Sequence, residues 1–218
     1  VTTRRAWLAA AGGLPFAWGY VLQALAQGRV EQGVRRLRGG ARLNEVAAKE
    51  RAGVRPGDSI ATAADGEIVF VIGRDAFLVR GDSRVEVAGG RDSPVASGLR
   101  VVTGAVLSVF APGGRRQIRT ATAVIGIRGT GIYVEAGPDK TYACTCYGEA
   151  VLAPAADPKA REVVRTKHHE QPRYIMAKGA PQMMMKAPVV NHTDAELMLL
   201  ESLVGRVPPF VGKGYSSY

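Results

Sequence analysis

Cysteine is scarce in this chain. Its 218 residues hold two, Cys144 and Cys146, one residue apart. Aromatic side chains are few as well, at 6%. No serine–histidine–acid set, phosphate-cradling glycine loop or paired-carboxylate site stands out. No C-x-x-C-H segment is present to attach haem. The chain therefore reads as a binding protein rather than an enzyme.

Glycine, by contrast, is abundant at 27 residues, and it accompanies many valines. That mixture points to short strands and tight turns. Hydrophobic residues make up 46% and charged residues 22%, which suits a packed core. Lysine and arginine outnumber the acids 29 to 19, for a net charge of +10. Such a charge alone suggests nucleic acid, but the N-terminus redirects the expectation. Thr2-Thr3-Arg4-Arg5-Ala6-Trp7-Leu8 precedes a mildly apolar run, and Ala24-Leu25-Ala26 offers an A-x-A cleavage site before Gln27. Residues 1–26 thus read as an export signal of the twin-arginine kind or an N-terminal anchor. The expected location is the periplasm, with membrane contact only through an uncleaved N-terminus. No nucleic acid is expected; the anionic partners there are cell-envelope surfaces or an envelope protein.

Residues 27–52 form a basic linker or first strands. Arg35, Arg36, Arg38 and Arg42 cluster around Gly39-Gly40 and are the candidate contacts for an anionic envelope surface. Residues 43–51 fit a helix capped by Asn44 and stopped by Gly53, or a strand pair turning near Asn44-Glu45. From 53 to 152 the pattern is all-β. Strands are expected at 59–62, 67–72, 76–80, 84–87, 99–103, 105–110, 117–120, 123–127, 131–135, 141–147 and 149–152. The predicted fold is a multi-stranded sandwich or roll of short antiparallel strands with a C-terminal arm and one helix. Residues 153–218 supply the arm, helix and tail, with one more strand at 162–169. Thr193-Asp194-Ala195-Glu196 is a capping box with Thr193 as N-cap. The helix should reach about Val204 and stop at Gly205, with Leu197, Leu200, Leu203 and Val204 facing the sheet.

The order of elements from Gly53 to Leu152 resembles the FecR-type periplasmic domain. Gly53-Val54-Arg55-Pro56-Gly57-Asp58-Ser59-Ile60-Ala61-Thr62 is similar to that family's opening "G-x-x-V-x-x-G-D-x-I-x-T". Residues 118–134, with Ile127-Arg128-Gly129-Thr130 at their centre, resemble its hallmark "V-x-T-P-x-A-x-x-x-V-R-G-T-x-F-x-V", although Ala121 replaces the proline. The resemblance covers about half the chain. It implies the fold, a periplasmic location, and strand rather than helix for residues 41–48. Iron-citrate regulators of the family carry a cytoplasmic anti-sigma domain before their span. Here five residues precede the apolar run, so sigma regulation is not implied. Arg128, Gly129 and Thr130 suit a structural corner: a positive φ at Gly129, an arginine donating to backbone carbonyls, and a threonine closing the turn.

Cys144 and Cys146 share one face of a predicted strand, with Cα atoms roughly 7 Å apart and parallel Cβ vectors. A bond between them would be strained. The pair can bind metal, cycle as a thiol–disulfide couple, or pack inertly. Two thiolates with imidazole from His168 or His169 form a set suited to zinc, and soft sulfur also suits copper(I), with Met183 to Met185 as thioether partners. On a strand, adjacent His168 and His169 would face opposite ways, so one of them would join. The methionine run can equally pack the arm, and His192 can simply hydrogen-bond the helix start. The leading expectation is a periplasmic binding or sensing module holding zinc or copper through Cys144, Cys146, His168 and His169. The alternatives are an envelope interaction protein using basic segment 29–51, and a thiol–disulfide redox protein.

Overall fold

The computed structural model describes residues 30–90 and 92–213. The export segment and Arg29 lie outside them. Strands β1 (Gly33–Arg38), β2 (Ala41–Leu43), β3 (Val46–Ala47) and β4 (Ser59–Thr62) lead into the hairpin of β5 (Glu67–Ile72) and β6 (Asp75–Val79). β7 (Arg84–Ala88), β8 (Gly98–Val109) and β9 (Arg116–Arg119) follow. β10 (Ala123–Ala136) and β11 (Lys140–Pro154) are the longest strands. β12 (Glu162–Thr166), β13 (Arg173–Met176), β14 (Met184–Lys186) and helix α1 (Asp194–Leu203) complete the order.

All strands belong to one unclosed sheet running β14-β13-β11-β10-β9-β8-β7-β4-β2-β3, with β12 joined to β11 and β1–β5–β6 joined through β8. One pairing departs from the expected antiparallel pattern: β8 and β9 run parallel over Gly98–Arg100.

The three long strands carry two halves of the sheet around corners. In β8, Leu99 and Val101 enter the main core before Gly104, and Val106 enters it afterwards. In β10 the inward set passes from Ile125 and Ile127 to Ile132 and Val134. In β11 it passes from Ala143 to Ala150 and Leu152. Each strand therefore slips by one residue at its corner, which keeps its apolar side inward. The slips coincide with Gly104, Gly129 and Gly148, whose φ values are 81°, 58° and 90°. A bulge reads in sequence as a strand end, which is why each long strand looked like two short ones.

Residues 43–51 are not helical. Asn44 and Glu45 take φ of 51° and 65° in a tight turn between β2 and β3, so the strand-pair reading holds. The Asn44 amide fixes that turn by donating to Asp58 Oδ1 at 2.8 Å and accepting from the Ser59 N–H at 2.9 Å. At the hallmark corner, Thr130 Oγ1 reaches the carbonyls of Arg128 and Glu149 at 3.1 and 2.8 Å. Arg128 behaves differently from expectation: its side chain is 77% exposed and faces Glu149 at 3.7 Å.

A second apolar cluster lies on the opposite side of β5, β6, β8, β10 and β11. Val69, Leu78, Leu107, Tyr133, Tyr142, Cys144 and Cys146 belong to it, and Leu197, Leu200 and Val204 of the helix segment cover them. The capping box forms as expected, with Thr193 accepting from the Glu196 N–H. Burying Leu197 and Leu200 contributes roughly 1.5–3 kcal/mol each. The helix is also held by polar contacts. Arg80 donates to Glu196 Oε1 at 2.8 Å. Buried Glu201 accepts from the Tyr147 hydroxyl and from Arg206 Nε.

Candidate metal centre

The C-x-C segment occupies the face of β11 that α1 covers, with Cys144 opposite Tyr133 of β10. Both thiols are free, and both residues are 0% exposed. The chain then turns after β12, where His169 adopts φ of 54° and donates its backbone N–H to the Cys146 carbonyl at 2.9 Å. This bend breaks the strand geometry that would have sent His168 and His169 to opposite faces. His169 Nδ1 lies 3.4 Å from Cys144 Sγ, and its Nε2 lies 3.2 Å from Asp194 Oδ1.

His192 arrives from the segment before the helix cap. Its Nε2 lies 2.9 Å from His169 Nδ1, and its ring stacks on Tyr133 at 4.6 Å. Its Nδ1 lies 2.6 Å from the Val190 carbonyl. A carbonyl only accepts, so His192 Nδ1 carries the proton and Nε2 of the neutral ring is an acceptor. The Asp194 carboxylate likewise fixes the proton of neutral His169 on Nε2, which leaves Nδ1 as an acceptor. With both rings neutral, the two facing nitrogens 2.9 Å apart would both be acceptors. A proton or a metal ion between them removes the conflict.

The thiols complete the set. The ligand atoms of Cys144, Cys146, His169 and His192 all lie within 4.8 Å of one another, and all four residues are buried. The neighbouring Cys146 thiol holds the Cys144 thiol well below its usual range; burial opposes this, and His169 and His192 reinforce it. Burial pushes Cys146 the other way, with the Cys144 sulfur adding to it. The two sulfurs are thus biased in opposite directions, Cys144 toward the thiolate and Cys146 toward the thiol. A tetrahedral zinc site needs edges of about 3.3 Å between nitrogens and about 3.6 Å between a nitrogen and a sulfur. The observed 2.9 and 3.4 Å separations are slightly tighter and close to that size. The far nitrogens are held by a carboxylate and a carbonyl, the usual supports of metal-bound imidazole.

No family model matches this chain, and no curated protein matches it. Two crystal structures of a candidate anti-sigma factor from Parabacteroides distasonis share 10% identity with it and superpose with a TM-score of 0.48. The match covers 59% of this chain and spans 58% of that protein's length. The likeness is distant and partial.

Cys144, His169 and Asp194 also line up as a nucleophile, base and acid would. Burial argues against that use, since Cys144 is 0% and His169 2% exposed and a substrate carbonyl must reach the sulfur.

Three expectations change. His168 does not join the cysteines: its Nε2 contacts both Asp194 oxygens at 3.0 and 2.8 Å, and its ring leans on Phe210 at 4.8 Å. His192 takes the fourth place, which sequence reasoning had assigned only to hydrogen bonding. Met184 and Met185 of the methionine run lie in edge strand β14, where Met184 packs against the main core and Met185 is exposed. In the basic segment, Arg35 pairs with Glu31 and Arg36 with Glu67, so half of that cluster is neutralised locally. Arg42 donates to the Glu45 carbonyl, and Arg38 is exposed.

Proposed function

We propose that this domain is a non-catalytic binding or sensing module of the cell envelope, built around one transition-metal ion. Cys144, Cys146, His169 and His192 would hold it. The observation that carries this reading is the convergence of two sulfurs and two imidazole nitrogens within 4.8 Å of one another among buried residues, with the His169 and His192 nitrogens 2.9 Å apart. Two thiolates and two imidazoles in a closed, dry site suit zinc, and copper(I) is the competing soft ion. The ion would supply no reaction here; it would tie β11, the bend after β12 and the start of α1 into one unit. The FecR-like segment at 118–134 and the twin-arginine-like N-terminus support the envelope location.

Elemental analysis of untagged protein, purified without chelator or affinity histidines, tests the proposal. About one equivalent of zinc or copper per chain is expected. Less than about a tenth of an equivalent, unchanged after addition of either metal, overturns it.

A further inference from the structure

The other half of the sheet carries a second unassigned feature. Arg100, Arg115, Arg119 and Arg128 are exposed around a groove of about 740 Å³ across β8, β9 and β10. Register gives the groove its shape. Arg100 stands opposite Arg119, Gln117 opposite Gly126, and Gly126 opposite Val151. A low floor around Gln117 and Gly126 thus lies between a wall of Arg100 and Arg119 and a wall of Arg115 and Arg128.

Two observations point to a ligand. First, Arg100 and Arg119 are like charges directly opposite on paired strands, an arrangement that destabilises a sheet. Glu86 meets Arg100 at 3.2 Å, Asp75 meets Arg116 at 2.8 Å, and Glu149 is shared by Arg128 and Arg165. Arg119 donates to the neutral Gln117 at 2.8 Å. Among the described residues, neither Arg115 nor Arg119 has a carboxylate at ion-pair distance. Second, Gly126 is a mid-strand glycine that the backbone does not require. Its φ is not positive, and a Cβ there would meet nothing nearer than Val151 at 3.8 Å. Glycine weakens a strand interior, so what it leaves is open floor between the guanidinium walls.

We propose that this groove binds a phosphate-bearing ligand, with a diphosphate or phosphomonoester group seated over Gly126. Guanidinium groups match phosphate oxygens two at a time, and arginines on both walls suit a multiply charged group better than a single carboxylate. The phosphate can belong to a free small molecule or to a lipid headgroup.

Calorimetry of the full chain with inorganic pyrophosphate, at about 0.15 M salt, tests the free form. Co-sedimentation with phosphatidylcholine vesicles, with and without phosphatidic acid, tests the headgroup. Gly126→Val should fill the floor without unfolding the strand, and Arg119→Gln should remove an unneutralised charge. Each is expected to weaken binding at least ~10-fold, whereas Lys178→Gln, in the exposed turn after β13, changes it less than ~2-fold. If a headgroup is the natural source, phosphatidic acid vesicles show the same ranking and pyrophosphate competes with them. No binding of either probe at about 10 mM phosphate overturns the proposal. So does a loss in Arg119→Gln no larger than in Lys178→Gln, a comparison that stands even if Gly126→Val misfolds. None of these residues belongs to the cysteine–histidine set, so metal content should not change and the two proposals fail separately.

Discussion

His192 Nε2 lies 2.9 Å from His169 Nδ1, and each ring is anchored through its far nitrogen, to the Val190 carbonyl and to Asp194. Neither ring can turn away without losing a hydrogen bond. The centre is therefore preorganised by groups that need not themselves touch an ion.

Removal of a ligand is the first test. Cys146→Ser or His192→Ala should lower bound metal from about one equivalent to below about a tenth, and should abolish the loss of thermal stability that a chelator causes in the wild type. His168→Ala should retain the metal, because His168 contacts Asp194 rather than the cysteine set. Elemental analysis and thermal melts with and without chelator read both results.

Asp194 should act on affinity rather than stoichiometry. Asp194→Ala removes the acceptor for His169 Nε2 and should weaken metal binding about 10–100-fold while a full equivalent still binds at excess metal. Asp194→Asn keeps an amide oxygen there and should lie between. Competition against a chromophoric chelator measures the series, and equal affinity in all three proteins would discard the supporting role.

The thiols give a pH signature in metal-free protein. Cys144 is held down to about 4, first by Cys146, against an ordinary value near 9. A lowered value means that the unfolded chain binds more protons, so the contribution is full above about 9, shrinks as pH falls, and is gone below about 4. The stability difference between wild type and Cys144→Ser should widen as pH rises through that window. Cys146 works oppositely: its raised value makes its contribution fall once pH exceeds the ordinary thiol range. Denaturant titrations at several pH values follow the first effect. Ultraviolet absorbance at neutral pH should report one thiolate, not two.

The corner can be tested apart from the centre. A Cβ at Gly148 would approach the Gly129 carbonyl to 2.7 Å at φ of 90°. Gly148→Ala should cost roughly 1–3 kcal/mol. Thr130→Val, which strips two backbone carbonyls of their hydroxyl donor, should cost about 1–2 kcal/mol. Denaturant midpoints measure both, and a change smaller than ~0.5 kcal/mol in each would remove the structural role assigned to the hallmark.

The β class and the helix with its cap were legible in residue patterns, and so was the C-x-C pair as the start of a candidate site. Alternation at Ile68, Phe70 and Ile72 and at Val85 and Val87 marked strands, and Thr193 with Glu196 marked the helix start. The continuity of the long strands was hidden because a one-residue slip at Gly104, Gly129 or Gly148 breaks the period that reveals a strand. The candidate ligand set was hidden for a different reason. His169 leaves the strand through a left-handed bend, and His192 lies 23 residues further on, brought back only by helix docking. The Asn191-His192-Thr193-Asp194 run, a histidine just before an acid-led helix, was the available signal, and it also fits ordinary capping.

The placement of the centre beneath α1 sets an order of assembly. An ion has no open path to the sulfurs once Leu197, Leu200 and Phe210 are seated, because Cys144 and Cys146 are then fully buried. It must arrive before the helix settles or wait for the helix to lift. The metal that the proposed centre would hold is therefore chosen by the compartment in which the chain folds, and its exchange afterwards would run at the pace of helix opening rather than of ligand dissociation.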